Sequence, residues 1–330
     1  MILGEFKSSE KTCLRPMCSA HPIITRYHKN PILTPQDVPY PVATVHNAGV
    51  VKYNDRYIML FRSHQRNGRS IIGRADSSDG FRFVVHQKPF LLPATQGIFA
   101  QYEEYGVEDI RITPLEGAFY LTYSCYSRCG VRIALARTSD FESVERLAII
   151  SQADMRNIVL FPERFHNTYV RLDRPHSGIM PWSIWISYSP DLIHWGNSKV
   201  VIRPLQYHWD EMKVGPGTPP IKTSRGWLHI YHGVFQTMSG AVYRLGAALH
   251  DLSDPSKVIG VADEWLLEPA DPWERSGYVP NVVFTCGAVP EDDGTLLLYW
   301  GGADTVMCAG TARIDDIIEL CLTRTRPALG

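Results

Sequence analysis

The chain has 330 residues, and its 33 Lys and Arg nearly balance its 34 Asp and Glu, which gives a formal net charge of -1. This balance provides no field that would draw the protein to nucleic acid or to an anionic membrane surface. With 45% hydrophobic and 20% charged residues, the composition is typical of a folded protein, and no apolar run approaches the ~20 residues that span a bilayer.

The first part of the chain, residues 1–30, is predicted to be an N-terminal extension that precedes a single domain over residues 31–330. It begins MILGEFKSSEKTC and lacks the uninterrupted apolar stretch and small-residue cleavage site of a signal peptide. The sequence therefore predicts a cytoplasmic protein. The extension could pack on a second copy of the chain, so a homo-oligomer is an open alternative to a monomer.

Cysteine and histidine spacing gives no sign of a metal centre. The seven cysteines are odd in number and contain no C-x-x-C pair, and the histidines form no H-x-x-x-H or H-E-x-x-H motif. A disulfide framework or a zinc site is therefore not expected. We expect neither a metal nor a cofactor.

Hydrophobic periodicity predicts β-strands along nearly the whole chain. In chain order, short aromatic and β-branched runs bounded by turn residues are GVVKYNDRYIMLFRS (49–63), GAFYLTYSCYS (117–127), SIWISYS (183–189), GWLHIYHGVF (226–235) and GTLLLYWGGA (294–303). Within the first run, Asn54-Asp55 is a hairpin signal. No amphipathic helix of similar clarity competes, so the fold class is all-β.

The strands recur as a unit with a spacing of roughly 50 to 65 residues, in the range of radial β repeats. The five units are counted from Asn47, Asp109, Asn157, Lys213 and Asn281. Five repeats predict a five-bladed β-propeller with a central active-site cavity, and a pair of β-sandwiches is the alternative. In a propeller the functional residues fall at the same place in successive units, because the inner strands meet at one axis.

Polar residues recur at equivalent positions in successive units. One set begins the inner strands, namely Asn47, Glu108, Asp109, Arg156, Asn157, Lys213 and Asn281, and a second ends the next strands, namely Arg62, His64, Arg174, His232 and Asp304. Charges beside apolar strands are costly to bury unless they are paired or used, so the repeated placement predicts a shared polar cavity. Tyr243 is a further candidate for its wall.

Asp109 is the candidate acid of this cavity. Strand alternation puts its side chain on the opposite face from its chain neighbours, Glu108 among them, so that one carboxyl points inward. A carboxylic acid shielded from water is expected to have a raised pKa and so to hold a proton for a leaving group. The alternative is a strand-end carboxylate bonded to backbone N–H groups.

The other pole of the predicted cavity is cationic. Arg156, Arg174 and Lys213, with His232 nearby, suit a dianion such as inorganic phosphate, because Arg offers bidentate donors and Lys a compact charge. Phosphate carries its own nucleophilic oxygen, so it needs no protein base. For each cation an ion pair on an exposed sheet is the alternative, and Asp173 adjoins Arg174.

Six motifs resemble those of glycoside hydrolase family 130, the inverting β-mannoside phosphorylases and related hydrolases. They are NPILTPQDVPYPVATVHNAGVVKYNDRYIMLFRS, GVEDIRIT, RNIVLFPE, KVGPGTPPI, YHG and YWGGAD. The resemblance covers roughly residues 30–320 and departs from the family where Ile110 replaces the usual proline. It implies a five-bladed β-propeller in which Asp109 is the acid, acting through the mannose 3-OH.

The resemblance also implies which residues hold the two substrates. Phosphate would contact Arg156, Arg174, Lys213 and His232, and the mannosyl unit would lie among Asn47, Arg62, Asn157, Tyr243 and Asp304. The predicted function is reversible, inverting phosphorolysis of β-mannosides to α-mannose 1-phosphate, with phosphate as co-substrate. The opening NPILTPQDVPYP favours β-1,4-linked mannooligosaccharides, or mannosyl-glucose and mannosyl-N-acetylglucosamine. A β-1,2-mannoside phosphorylase, a β-mannoside hydrolase and a glycan-binding propeller are the alternatives.

Overall fold

The structure is a computed structural model that describes residues 22–176, 178 and 180–329. Strands dominate it, and the prediction of an all-β chain is confirmed. The first strand, β1 (Thr25–Arg26), lies inside the predicted N-terminal extension and pairs with a strand near the C-terminus. The remainder of that extension up to residue 21 lies outside the described residues. No helix among the described residues is long and apolar enough to cross a membrane.

The next eight strands form one sheet with two antiparallel halves. Unit 1 consists of β2 (His46–Tyr53), β3 (Arg56–His64), β4 (Ser70–Ser77) and β5 (Val84–Val85), and unit 2 of β6 (Gly106–Leu115), β7 (Ala118–Ser127), β8 (Gly130–Thr138) and β9 (Glu145–Ile149). Among the described residues, one backbone bridge joins the halves of this sheet, a parallel pair between Ser70 and Gly106. The sheet is therefore two four-stranded units in sequence. Helix α1 (Gly97–Tyr102) lies in the connection between them.

Three further sheets follow. Unit 3 consists of β10 (Met155–Leu160), β11 (Tyr169–Pro175), β12 (Ile184–Ser189) and β13 (Gly196–Ile202). Unit 4 consists of β14 (Lys213–Pro216), β15 (Ile221–Thr223), β16 (Gly226–Thr237), β17 (Gly240–His250) and β18 (Val258–Ala262), and unit 5 of β19 (Val283–Pro290), β20 (Thr295–Gly302) and β21 (Val306–Arg313) together with β1. Helix α2 (Pro272–Arg275) precedes β19, and α3 (Ile314–Thr323) leads into β22 (Thr325–Arg326), which pairs with β18.

The hairpin predicted at Asn54-Asp55 joins β2 to β3. Both residues have positive φ, 49° and 57°, which is the backbone geometry of the type I′ turns that match the twist of a hairpin. Asn and Asp tolerate this conformation better than other residues with a side chain. The local sequence thus fixes the register of this strand pair.

Apolar side chains fill the space between neighbouring units in a cyclic order. Five core clusters join unit 1 to unit 2, unit 2 to unit 3, unit 3 to unit 4, unit 4 to unit 5 and unit 5 to unit 1. Trp227 and Trp300 are fully buried in two of them. Each large apolar side chain buried in this way stabilises the fold by about 1.5–3 kcal/mol before entropy is counted. Every unit therefore packs on two others.

The first strands of units 1, 2 and 3 carry a β-bulge at the same place. Their registers shift at His46/Gly49, Glu108/Arg111 and Arg156/Val159. The residues inside these bulges, Asn47, Asp109 and Asn157, have φ of 49°, 52° and 58°. A bulge bends its strand and re-aims side chains, and Asn and Asp are among the few residues that adopt its left-handed backbone at low cost. The repeat thus delivers three polar side chains in equivalent positions.

Candidate active site

A polar cavity of about 310 Å³ lies where the bulged strands meet. All ten site residues predicted from the sequence line it, namely Asn47, Arg62, Asp109, Arg156, Asn157, Arg174, Lys213, His232, Tyr243 and Asp304. They come from all five units, so the repeat reasoning located them together. Their chemical roles are a separate question, which begins with the contacts they make.

Asp109 is buried and held by two donors. Its Oδ1 accepts hydrogen bonds from Nδ2 of Asn47 at 2.9 Å and from Nη1 of Arg62 at 3.1 Å. Of Glu108 and Asp109, Asp109 lines the cavity and Glu108 does not, yet Arg62 also donates to Oε1 of Glu108 at 2.7 Å. The bulge between Glu108 and Arg111 breaks the alternation and brings both carboxylates to one guanidinium.

The prediction that the pKa of Asp109 is raised is wrong for the cavity without a ligand. Burial alone would raise this pKa, but the charges of Arg62 and Arg111 and the hydrogen bond from Asn47 together hold it below its ordinary value. The carboxyl is therefore ionised when the cavity contains no other charge. A negative group bound nearby would oppose the arginines and raise the pKa again.

Arg111 is a structural residue of the site that sequence reasoning did not single out. It is almost fully buried, and its Nη1 donates to the carbonyl oxygen of Asp109 at 2.7 Å. It also donates to Oδ1 of Asn157 at 3.3 Å and to the carbonyl oxygen of Gly217 at 3.2 Å. These bonds tie the bulge of unit 2 to units 3 and 4. The sequence feature that could have identified Arg111 is its position two residues after Asp109.

Four groups form a basic cluster on the other side of the cavity. Arg156 and Arg174 are directly opposite each other on β10 and β11. Nη1 of Arg174 lies 3.4 Å from Nε2 of His232, and Nζ of Lys213 donates to the hydroxyl of Tyr243 at 2.8 Å. The basic cluster, defined as Arg156, Arg174, Lys213 and His232, is thus assembled from two neighbouring units.

The basic cluster has little compensating negative charge. Asp173 pairs with Arg171 at 2.8 Å, so the alternative of a salt bridge between Asp173 and Arg174 is not found. Among the described residues no carboxylate lies within salt-bridge distance of Arg174 or Lys213, and Arg156 reaches only Glu108, at 3.7 Å. Three like charges brought together in this way favour a bound anion.

Burial and mutual repulsion show in the acid–base properties of the basic cluster. Burial and the charges of Arg174 and Arg156 lower the pKa of Lys213 from 10.5 to about 7. Burial, followed by the charges of Arg174 and Lys213, holds the pKa of His232 well below its usual value, so its ring is neutral. Nε of Arg174 and Nδ1 of His232 are buried and have no hydrogen-bond partner among the described residues.

Asp304 is the second carboxyl that lines the cavity. It lies in the turn between β20 and β21 with φ of 48°. Burial raises its pKa to about 6, although the charge of Arg62 opposes that rise. A partly buried carboxyl at the wall of a polar cavity can accept hydrogen bonds from hydroxyl groups.

Five lining residues were missed by the sequence reasoning, namely His176, Trp182, Val279, Val282 and Phe284. The Trp182 ring lies edge-on to His176 at 3.9 Å between centroids and within 5.4 Å of the Arg174 guanidinium. His176, Trp182 and Val279 are on connections, where strand periodicity carries no information. Across the part of the chain that the structure describes, no group of three His, Cys, Asp or Glu side chains could hold a metal ion.

Comparisons with known proteins show the class of enzyme to which the chain is similar. The relatives found are named as mannoside phosphorylases, and the prediction of a glycosyltransferase-type phosphorylase is confirmed by them. A family model described as beta-1,4-mannooligosaccharide phosphorylase matches residues 19–323. The chain belongs to glycoside hydrolase family 130.

Individual relatives are similar over nearly their whole length. A 1,2-beta-oligomannan phosphorylase of Thermoanaerobacter sp. is 36% identical over 89% of this chain and 98% of that protein. A beta-1,4-mannooligosaccharide phosphorylase of Ruminococcus albus is 31% identical over 90% of each. The solved structure of a beta-1,2-mannobiose phosphorylase from Listeria innocua, in complex with beta-1,2-mannobiose, has a TM-score of 0.83 at 31% identity and covers 91% of this chain and 99% of that one.

Proposed function

We propose that the protein catalyses the reversible, inverting phosphorolysis of β-mannosides by inorganic phosphate, with α-mannose 1-phosphate as the product. The observation that carries this proposal is the basic cluster, which shares one cavity with Asp109 and in which Arg174 and Lys213 have no carboxylate partner within the described part of the chain. An acid and an anion site are the two elements that phosphorolysis requires. The names of the relatives support the same reaction class.

The reaction assigns a role to each side of the cavity. A phosphate oxygen held by Arg174, Lys213 and their neighbours forms the new bond to C1 of the mannosyl unit, while the bond from C1 to the leaving oxygen breaks. The proton for that leaving oxygen comes from Asp109 by way of the mannose 3-OH. Attack from the face opposite the leaving group inverts a β-mannoside to the α-phosphate.

Charge coupling links phosphate binding to the acid. Asp109 is ionised in the free cavity, as the lowered pKa requires. A phosphate dianion bound in the same cavity offsets the field of the arginines and raises this pKa toward its ordinary value, which favours the protonated form of the acid in the loaded enzyme. In the reverse direction Asp109 acts as a base, for which the ionised form is the required one.

A hydrolase would need a second carboxylate to activate water. Asp304 lines the cavity, and Glu108 lies behind Arg62, where its Oε1 accepts hydrogen bonds from Arg62 at 2.7 Å and from Ser70 at 3.1 Å. These bonds hold Glu108 in place. The basic cluster, rather than a lack of carboxylates, is therefore what favours phosphate over water as the nucleophile.

The five units are proposed to be the blades of a five-bladed β-propeller. Support comes from the cyclic packing, in which each unit shares a core with two others and unit 5 returns to unit 1. Contacts between the first strands, β2 with β6 and β19, and β10 with β6 and β14, follow the same order. The cavity then lies at the common axis.

The test is the dependence of bond cleavage on phosphate. Purified protein is incubated with β-1,4-mannobiose and, separately, with β-1,2-mannobiose, because the named relatives act on both linkages. We expect α-mannose 1-phosphate to form only when phosphate is present, and the better substrate identifies the linkage. Release of free mannose at the same rate without phosphate would replace the proposal by hydrolysis. No cleavage of any β-mannoside would leave a glycan-binding protein.

A further inference from the structure

The rim of the cavity carries an exposed tyrosine next to a lining residue. Val279 lines the cavity, and its neighbour Tyr278 is 64% exposed. The backbone here is fixed, since Tyr278 N donates to Oγ1 of Thr305 at 2.8 Å and Val279 N to the carbonyl oxygen of Ala303 at 3.1 Å. These partners flank Asp304 in sequence. The position of Tyr278 is therefore tied to the cavity wall.

Gly277 allows this segment to lie close to the turn that bears Asp304. A Cβ atom at Gly277 would lie 2.4 Å from Oγ1 of Thr305 and 2.6 Å from the carbonyl oxygen of Ala303. No other residue could therefore bring this segment so near the turn that bears Asp304. A rim segment held this tightly offers a preformed surface rather than a mobile loop.

The ring of Tyr278 rests on a chain of contacts that leads to the acid. Its centroid lies 4.8 Å from that of His64, and Nε2 of His64 lies 2.9 Å from Nη2 of Arg62. Arg62 in turn donates to Asp109. Burial and the charge of Arg62 lower the pKa of His64 to about 4, so the supporting ring is uncharged. One side of the Tyr278 ring therefore contacts His64, and the other side is exposed.

The size of the cavity leaves part of the substrate outside. Its volume of about 310 Å³ is at the lower end of the ~300–1,000 Å³ range of small-molecule sites. A mannosyl unit and a phosphate ion must share this space, so the second sugar of a disaccharide has to lie at the mouth. Aromatic rings with one open face and a polar tip suit the apolar face and hydroxyl groups of a pyranose.

We propose that Tyr278 is the platform on which the leaving sugar of the mannoside stacks, and on which the acceptor sugar stacks in the reverse reaction. This inference rests on the proposed phosphorolysis for its kinetic meaning but not for its binding test. The ligand is a pyranose in the acceptor position. Stacking, rather than a hydrogen bond, supplies the recognition, so the Tyr278 hydroxyl is dispensable.

The kinetic test compares Tyr278→Ala with Tyr278→Phe in synthesis from α-mannose 1-phosphate and mannose. We expect Tyr278→Ala to raise the KM for the acceptor by roughly 2- to 10-fold, the range of aromatic contacts, and to leave the KM for α-mannose 1-phosphate unchanged. Tyr278→Phe should behave as wild type. The matched control is Tyr207→Ala, which removes a tyrosine that is 89% exposed and does not line the cavity. An unchanged acceptor KM in Tyr278→Ala would overturn the inference.

A binding test separates this inference from the proposed function. In the Asp109→Asn background, which lacks the acid, calorimetry measures binding of β-1,4-mannobiose, β-1,2-mannobiose and free mannose. Adding Tyr278→Ala should weaken the better-bound disaccharide by the same roughly 2- to 10-fold and leave mannose unaffected. Equal weakening of mannose and disaccharide, or no weakening, contradicts the platform even if the enzyme proves to be a hydrolase.

Discussion

Raising the pH from about 6 to about 8 is expected to weaken the binding of a dianion to the basic cluster by roughly tenfold, because Lys213 loses its proton over this range. The cause is structural. Lys213 is largely buried beside Arg156 and Arg174, and its Nζ donates to a neutral hydroxyl, that of Tyr243, rather than to a carboxylate. The ammonium form is therefore disfavoured until an anion arrives.

The magnitude follows from the pKa of about 7 for Lys213 in the free protein. At that pKa about nine tenths of the free molecules carry a charged Lys213 at pH 6, and about one eleventh at pH 8. A bound dianion stabilises the ammonium, so the bound form keeps the proton. The apparent Kd varies as the inverse of the competent fraction, and the two fractions differ by roughly tenfold. Binding thus weakens as the pH rises.

Other groups around Lys213 change little in this range. Burial and nearby positive charges keep the pKa of His232 and of His176 below the ordinary value, and burial raises the pKa of Tyr243. Burial brings the pKa of Asp304 to about 6, which places its transition at the lower end. Between about pH 7 and 8.5 the slope therefore reports Lys213.

The assay is calorimetric titration with sulfate, which stays a dianion throughout, whereas phosphate itself gains or loses a proton. Repeating the titration at about pH 8 in buffers of different ionisation enthalpy should show uptake of close to one proton per sulfate. The matched control is Lys213→Arg, whose side chain stays charged and should bind sulfate with a flat pH profile. A flat profile in the wild-type protein, or an equal slope in the Lys213→Arg variant, would refute the reasoning.

Three further predictions address the acid, the anion site and the buried hydrogen bonds of Arg111. Asp109→Asn should lower phosphorolysis by at least ~10²-fold with an unchanged melting temperature, because Asn also adopts positive φ, and retention of more than about a tenth of the turnover would exclude Asp109 as the acid. Arg174→Gln should raise the KM for phosphate by about tenfold or more and leave the KM for the mannoside nearly unchanged in initial-rate measurements, whereas equal changes would indicate a structural role. Arg111→Met should lower the free energy of unfolding in urea by about 1–3 kcal/mol, because buried carbonyl oxygens of Asp109 and Gly217 lose their donor. A loss near zero would show that the hydrogen bonds of Arg111 do not stabilise the fold.

Repetition explains why so much of the site was visible in the sequence. Asn47, Asp109 and Asn157 follow one another at equivalent points of three units, and a repeat must bring such points together. The structure adds that each sits in a bulge with positive φ. Since Asn and Asp are the side chains that tolerate this backbone, their recurrence was itself a signal of the bulge.

What the sequence could not provide depends on partners distant along the chain. The alternation rule does not show that Asp109 and Glu108 share Arg62 on another strand, because nothing local announces a register shift. The pKa of Asp109 was predicted from burial alone, while its direction is decided by arginines from β3 and β6. Trp182 lies on a connection, where neither period nor turn chemistry specifies a position.

The chain ends have a consequence for how the protein is made. Strand β1 leaves the ribosome first, yet Thr25 pairs with Thr311 in the strand that is completed nearly last. Unit 5 therefore cannot be finished before β21 has been made, and the edge of β21 stays open until the early segment covers it. Strand β22, which pairs with β18, closes unit 4 later still, through a buried contact between Arg326 and Asp210 at 2.6 Å. A chain that ended before Arg326 could still pair β1 with β21, but it would lack the Arg326–Asp210 contact and the full β18–β22 pair that close unit 4.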